Sequence, residues 1–166
     1  DYLLAGMSSK RVGAPPADPP YDAISLKDGS VAGQYKTGDC HLFGTTVYSL
    51  IPQWQRWQIV DLSTGAEIEP ADPIPTGTVA SRPKVWATGG YTVVRSDDAV
   101  DIRPLGDSKA ALAWTSADRP LPTAAAVYDD VLYTIIDSTP GEVSLTDLQT
   151  GQELGKATLP ETFQAG

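Results

Sequence analysis

The sequence predicts an all-β protein built from four repeats of about 40 residues. The main observation is a strand that leads into a glycine turn: residues 147–154 read Asp-Leu-Gln-Thr-Gly-Gln-Glu-Leu, and residues 61–68 read Asp-Leu-Ser-Thr-Gly-Ala-Glu-Ile. Looser copies lie at residues 24–29 and 105–106. Their glycines are 36, 41 and 45 residues apart, which is the period of propeller blades: Gly29, Gly65, Gly106 and Gly151.

The second observation is a tyrosine followed by strand-forming residues. Four such segments begin 46, 43 and 42 residues apart, at Tyr2, Tyr48, Tyr91 and Tyr133. An aromatic residue stands five positions before each of the last three: Phe43, Trp86 and Tyr128. Each repeat therefore contains a strand that ends in an aromatic residue, a strand that begins with Tyr, and the glycine hairpin. In the turn of that hairpin, Gly adopts positive φ, and the Asp and Thr side chains hydrogen-bond the backbone. Four antiparallel strands per repeat predict a β-propeller of about four blades.

Taken in order, the chain begins inside an incomplete blade and continues through three complete ones. Residues 107–115 contain helix-favouring alanines, but their place in the repeat predicts an outer strand, because propensity is a weak prior. The predicted strands are 2–5, 21–27 and 30–36 in the first blade; 39–44, 46–52, 56–62 and 66–70 in the second; 83–88, 90–96, 99–105 and 109–115 in the third; and 123–129, 131–137, 142–148 and 152–158 in the last.

Residues 161–166 look like one more inner strand, which would complete the first blade. If the end of the chain is imagined as running on into its beginning, Phe163 stands five positions before Tyr2, which is the spacing found in the other repeats. Three geometries satisfy this match: a small four-bladed ring, two chains forming an eight-bladed ring, or a piece of a longer seven- or eight-bladed propeller. Residues 1–166 are thus one propeller domain or a propeller fragment, and Asp1 suggests a mature form, an excised ectodomain or a fragment.

Composition narrows the function classes. The formal net charge of −9 disfavours a nucleic-acid groove or an anionic membrane surface, since both attract clustered Lys and Arg. Cys40 is the only cysteine, which excludes an intrachain disulfide and a thiolate zinc cluster. The sequence has no Asn for N-glycosylation and no apolar run long enough for a membrane helix.

Strand order places the longer connections on one face of the predicted propeller, here called the long-loop face. It comprises residues 8–20, 52–55, 71–82, 96–98 and 116–122. Irregular loops on a rigid scaffold commonly carry binding residues. We therefore expect a protein, peptide or glycan partner there.

Five residues near these loops are candidate partner-binding residues. Trp54 lies in a connection, where it either anchors an interface or folds back over a blade edge, whereas Trp57 falls on an inward strand position. The arginines either pair with an acidic partner or with local carboxylates: Arg11, Arg56, Arg82 and Arg119.

No residue pattern indicates catalysis or a bound metal. Asp97-Asp98 and Asp129-Asp130 resemble calcium ligands, but paired Asp in a strand turn is usually turn chemistry. His41 is the only histidine and reads as a structural residue of an inner strand, and Cys40 reads as a small buried hydrophobe. We expect no catalytic residue, no metal and no cofactor.

The Asp-Leu-x-Thr-Gly-x-Glu-[Leu/Ile] hairpins at 61–68 and 147–154 resemble the repeat of the PQQ-like, quinoprotein-dehydrogenase-type β-propellers. The resemblance implies blades that carry a docking Trp after the glycine, and here only Trp114 matches that position. It also implies one of several functions, because this family includes quinone-dependent dehydrogenases, envelope assembly scaffolds and extracellular sensor domains. The dehydrogenases hold calcium with Glu, Asn and Asp and often have vicinal cysteines, so a chain without Asn and with one Cys disfavours that branch.

The expected function is therefore a non-catalytic binding or scaffold propeller, or an extracellular sensor, from a bacterial cell-envelope or extracellular protein. The alternative is part of a PQQ-dependent quinoprotein oxidoreductase. The expected associations are a protein or glycan partner on the long-loop face, together with either a homodimer or the remainder of a larger propeller; neither nucleic acid nor membrane insertion of this segment is expected.

Overall fold

The computed structural model describes residues 1–6, 21–35, 39–51, 55–78, 81–136 and 141–160. This part of the chain is all-β: it holds fifteen strands and no helix. The strands form four antiparallel sheets in which strands that follow one another in sequence are neighbours in space. The predicted fold class is confirmed, and each sheet is one blade.

The strands agree with the predicted ones to within a few residues at either end. The first blade contains β1 (Tyr2–Gly6), β2 (Tyr21–Ser25) and β3 (Val31–Tyr35); the second contains β4 (Asp39–Phe43), β5 (Thr46–Ile51), β6 (Arg56–Asp61) and β7 (Ala66–Ile68); the third contains β8 (Lys84–Thr88), β9 (Tyr91–Arg95), β10 (Ala99–Pro104) and β11 (Leu112–Thr115); the fourth contains β12 (Ala124–Tyr128), β13 (Val131–Ile135), β14 (Glu142–Asp147) and β15 (Glu153–Thr158). Residues 161–166, predicted to complete the first blade, lie outside the described part.

The Asp-x-x-x-Gly motif forms the turn that the sequence predicts. Gly65 has φ of 71° and donates its N–H to the carbonyl oxygen of Asp61 at 2.8 Å. The Asp61 carboxylate accepts the backbone N–H and the hydroxyl of Ser63, at 2.9 and 2.7 Å, and these bonds lower its pKa. Asp147 closes the last hairpin in the same way, accepting two backbone N–H groups at 2.8 Å. The motif therefore ends one strand and, after a tight turn, begins the next.

A backbone hydrogen bond recurs in all four blades and fixes which positions are equivalent. In each blade the N–H of a leucine bonds the carbonyl of the residue just before the second strand, at 2.8–2.9 Å: Leu26 to Asp1, Leu62 to Thr45, Leu105 to Gly90, and Leu148 to Asp130. Tyr2 and Tyr91 directly follow their acceptors, whereas Tyr48 and Tyr133 lie two positions further on. The predicted equivalence of the four tyrosines is therefore wrong for Tyr48 and Tyr133. The sequence pattern could not reveal the shift, because moving a residue by two positions along a strand keeps its side chain on the same face.

The alanine-rich segment at 107–115 is an outer strand, as predicted, but only over β11. Leu112 and Trp114 pair with Ile102 and Val100 of β10. The preceding residue, Ala111, donates its N–H to Ile102 at 2.8 Å. Sheet pairing therefore overrides the helix preference of the alanines.

The chain divides into two compact units, each with its own apolar core. The first unit comprises Asp1–Thr76 with Gly106–Ser108, and the second comprises Gly77–Leu105 with Lys109–Gly166. In the first unit the buried core residues come from two consecutive blades: Ala23, Tyr35, Val47 and Leu62. In the second they also come from two consecutive blades: Val93, Val100, Ile102, Trp114, Val127, Leu132 and Leu148.

Candidate functional site

In the first unit, a loop that belongs to the predicted long-loop face is held by Trp57. Trp57 stands at the start of β6 and is buried, as its predicted inward position requires. Its indole N–H donates to the carbonyl oxygen of Pro75 at 2.8 Å. At the beginning of the loop, Ala71 N–H donates to the carbonyl of Ser108 at 2.8 Å. The segment 69–76 is thus an ordered, proline-rich loop tied down at two points.

This loop and the start of β6 enclose an open pocket of about 330 Å³. Its apolar surface comes from Trp57 and from the proline-rich loop, where Ile74 is buried. Its polar groups are Gln55, Arg56, Glu69, Asp72 and Thr76. An apolar floor with a few polar groups at its edge is typical of a small recognition pocket.

Among the predicted partner-binding residues that the structure describes, Arg56 lines this pocket. Its guanidinium lies 3.5 Å from the carboxylate of Glu67, and both side chains are nearly half exposed, at 47% and 45%. An exposed pair at this distance contributes little to stability. Arg56 therefore contacts its neighbour on β7 while nearly half of its side chain faces solvent.

Arg119, in the second unit, packs against a core residue of its own blade pair, and its assignment to partner binding stays a prediction. Its guanidinium stacks on the buried ring of Trp114, 3.6 Å from the ring centroid. Burial lowers the pKa of Arg119, and the nearby charge of Glu153 opposes that shift. The preceding turn is closed by Asp118, whose carboxylate accepts the N–H and the hydroxyl of Thr115 at 2.9 and 2.8 Å. Arg119 thus covers a core residue of its own unit.

Of the other three predicted residues, only Arg82 lies in the part of the chain that the structure describes. Arg82 is exposed just before β8 and has an interaction partner within the chain. Trp54 and Arg11 lie outside the described residues. Their assignment to partner binding stays a prediction.

The paired aspartates form turns. Asp129 and Asp130 both have positive φ, of 50° and 57°, in the hairpin between β12 and β13. Asp130 accepts the Tyr91 hydroxyl at 2.7 Å and the Gln149 amide at 3.1 Å. Asp98 accepts the Ser96 hydroxyl at 2.6 Å. Within the described ranges, no three His, Cys, Asp or Glu side chains are grouped closely enough to hold a metal ion.

His41 and Cys40 have the environments of structural residues. The His41 ring stacks on Phe43 with centroids 6.1 Å apart, and burial lowers its pKa. Burial raises the pKa of the Cys40 thiol to about 11, although a hydrogen bond with Ser49 opposes this. A thiol with such a pKa is almost entirely protonated near neutral pH and is a poor nucleophile.

We expect Cys40 of the folded protein to react with an aromatic disulfide reagent at about pH 8 at least about 10-fold more slowly than in the unfolded chain. The raised pKa reduces the thiolate fraction by roughly two orders of magnitude, and the greater nucleophilicity of a more basic thiolate restores only part of that loss. The measurement is the rate of thiol release with and without concentrated urea. Equal rates would show that the thiol is ionised and accessible in the native state.

The sequence did not indicate the role of Trp57 in holding the loop, nor a buried ion pair in the third blade. Asp101 and Arg103 of β10 are both fully buried, and the guanidinium bonds both carboxylate oxygens, at 2.8 and 2.9 Å. The spacing of two residues, which places both side chains on one face of a strand, was the only available signal.

No membrane-spanning helix is present in the described part of the chain. Comparison with protein-family models gives no match, and comparison with curated protein sequences gives none either.

Solved structures do match. The computationally designed Ika8 protein is similar with a TM-score of 0.54 and 13% identity, over 96% of this chain and 47% of that one. BamB from Moraxella catarrhalis is similar with a TM-score of 0.51 and 14% identity, over 97% of this chain and 50% of that one. A chain of the Mitotic Checkpoint Complex is similar with a TM-score of 0.52 and 12% identity, over 95% of this chain and 49% of that one.

The chain thus spans about half the length of the structures it matches. At these identities the likeness concerns the fold alone. BamB and the checkpoint protein are β-propellers, and the four antiparallel sheets described above have the same construction. The fold of this chain is a β-propeller.

Proposed function

We propose that this chain is a non-catalytic binding or scaffold propeller that presents its long-loop face to a protein, peptide or glycan partner. The observation that supports it best is the pocket beside Trp57, whose ordered loop and solvent-facing Arg56 form a ready recognition surface. Such a surface binds by shape and by a few polar contacts, and it changes little when a partner docks. Arg82, Trp54 and Arg11 belong to the same proposed surface.

Two of the structural neighbours support parts of this proposal, one concerning the kind of partner and one concerning the location of the protein. One is a component of the Mitotic Checkpoint Complex and therefore belongs to a protein assembly. The other, BamB, comes from the bacterium Moraxella catarrhalis, and it supports our proposal that this chain is a bacterial extracellular or cell-envelope protein. Membership of the PQQ-like repeat family, first suggested by the hairpin motif, is part of the same proposal.

The experiment selects ligands with a peptide-display library and a glycan array, and then measures the affinity of the selected ligands for variants. We expect Arg56→Ala to weaken the selected ligands by about tenfold or more, because truncating an anchoring residue typically removes over 1 kcal/mol of binding energy. The melting temperature is expected to change little, since the Arg56–Glu67 pair is exposed. Trp54→Ala serves as a second variant of the same surface.

Lys84→Ala is the matched control, since Lys84 is an exposed cation at the start of β8 and does not line the pocket. Unchanged affinity in Arg56→Ala and Trp54→Ala would remove both from the site. A stoichiometric visible chromophore that appears after the quinone cofactor and calcium are added would contradict the non-catalytic assignment altogether.

A further inference from the structure

The recurring backbone hydrogen bond makes it possible to compare equivalent side chains in different blades. In the second blade, Val47, Val60 and Leu62 lie on one face, which we call the front face, and they pack against the first blade. Val47 is completely buried and Leu62 nearly so. The front face of a blade is therefore the surface that receives the preceding blade.

The fourth blade repeats this arrangement. Leu132, Thr146 and Leu148 occupy the positions of Val47, Val60 and Leu62, and all three are buried. Leu132 and Leu148 belong to the core shared with the third blade. Two separate blade pairs thus cover the same three positions, of which Val60 is partly buried and the other five side chains are buried.

In the first blade the same positions are Leu3, Ile24 and Leu26; here the two leucines are exposed, and Ile24 is partly buried. Leu3 is 52% exposed and Leu26 is 61% exposed, although their equivalents in the second and fourth blades are buried. Leu3 pairs directly with Ile24, so the two side chains stand next to each other on the sheet. The front face of the first blade therefore has the residues of a blade-docking surface, and its two leucines are exposed.

The surface that fits a front face is the opposite, or rear, face of another blade. In the first blade that face contributes Ala23, Tyr2 and Leu4 to the core shared with the second blade. The equivalent residues of the fourth blade are Leu145, Val131 and Tyr133, which are apolar and only partly buried. The last blade of this chain thus presents a rear face of the required chemistry.

We propose that the front face of the first blade, formed by Leu3, Ile24 and Leu26, binds the rear face of the fourth blade of a second copy of this chain. The lengths of the structural neighbours favour a second copy: this chain spans 47% to 50% of each of them, so a second copy supplies the missing number of blades. The contact is reciprocal, because each copy offers one front face and one rear face. Two copies then satisfy both faces, and a two-fold dimer is the closed assembly that results.

The test is the solution mass of the chain by light scattering, with the equilibrium constant from sedimentation. We expect the wild-type chain to have twice its mass of 17.6 kDa. Leu3→Glu places a carboxylate in each of the two apolar contacts, and we expect at least about 100-fold weaker dimerisation. Leu26→Lys is a second variant at the other end of the same face. Both side chains are exposed within one chain, so the circular-dichroism spectrum should be unchanged.

Val31→Glu is the matched control. Val31 pairs with Ile24 and is 60% exposed, but the equivalent residues in the second and fourth blades are glutamates, Glu67 and Glu153. A Glu at this position is therefore compatible with a covered front face, and the variant should dimerise normally. A loss equal to that of Leu3→Glu would contradict the assigned surface.

A monomeric wild-type chain would overturn the proposal, and the variants would then say what covers the face. If Leu3→Glu strongly destabilised that monomer, the chain's own last blade would be the occupant. If Leu3→Glu left it unaffected, the face would be open to a blade of another protein. A dimer that survives both Leu3→Glu and Leu26→Lys would place the interface elsewhere and would also overturn the proposal.

Discussion

Asp101→Ala is expected to lower the free energy of unfolding by about 3–5 kcal/mol, because it leaves the guanidinium of Arg103 buried without its counter-charge. Both side chains have no exposed surface, and two hydrogen bonds of 2.8 and 2.9 Å join them. A charge in that environment depends on the groups that it contacts, since water cannot reach it, and the Asp101 carboxylate supplies the opposite charge. Urea unfolding of the wild type and the variant measures the difference.

The exposed pair between Lys156 and Glu142 is the control for this prediction. Its side chains are 51% and 34% exposed although the two atoms are only 2.7 Å apart, so Glu142→Ala is expected to cost at most about 1 kcal/mol. The double variant Asp101→Leu/Arg103→Met is expected to recover most of the stability, because it removes both charges. A cost below about 1 kcal/mol for Asp101→Ala would mean that Arg103 does not depend on that carboxylate.

Gly89→Ala is expected to destabilise the protein by about 3 kcal/mol. Gly89 lies in the hairpin between β8 and β9 with φ of 55°, a conformation that costs roughly 1–2 kcal/mol for an L residue. A methyl group there would also collide with the backbone carbonyl of Val127 in the next blade, and overpacking adds roughly 1–3 kcal/mol. The collision would push apart the hydrogen bond that Val127 N–H donates to Thr88 at 3.0 Å.

Gly90→Ala separates the two causes. Gly90 has φ of 82°, and a methyl group at this position would meet no atom within 4 Å. We therefore expect only the backbone cost, roughly 1–2 kcal/mol. The comparison uses urea unfolding of both variants under the same conditions, and equal losses would show that Val127 gives way without cost.

The strands and turns could be predicted because their signals are local. Each glycine turn is written in a few consecutive residues, and its aspartate bonds backbone groups two and three positions away, as at Asp61 and Asp147. Alternating apolar residues then indicate which face of each strand is buried, and the short turns pair each strand with the next one in sequence. The predicted alignment of the tyrosines was wrong because it also relied on local alternation. Side chains alternate with a period of two in a strand, so the sequence pattern does not distinguish Tyr48 from the residue two positions earlier.

The candidate site was predictable only in outline. The position of the long loops follows from strand order, and Arg56 does lie at a pocket formed by one of them. The sequence could not show that Trp57 ties down that loop through Pro75, or that Arg119 stacks on Trp114. These contacts join segments that approach one another only when the strands are folded.

The sequence by itself determined the repeat, the hairpin turns and the all-β class, because turn chemistry and side-chain alternation act between near neighbours. The tertiary structure alone decided how buried equivalent positions are. Val47, Leu132 and Leu3 occupy the same place in their blades, yet the first two are completely buried and Leu3 is 52% exposed. Burial depends on which surface packs against a blade, and that surface belongs to a distant part of the chain or to another molecule.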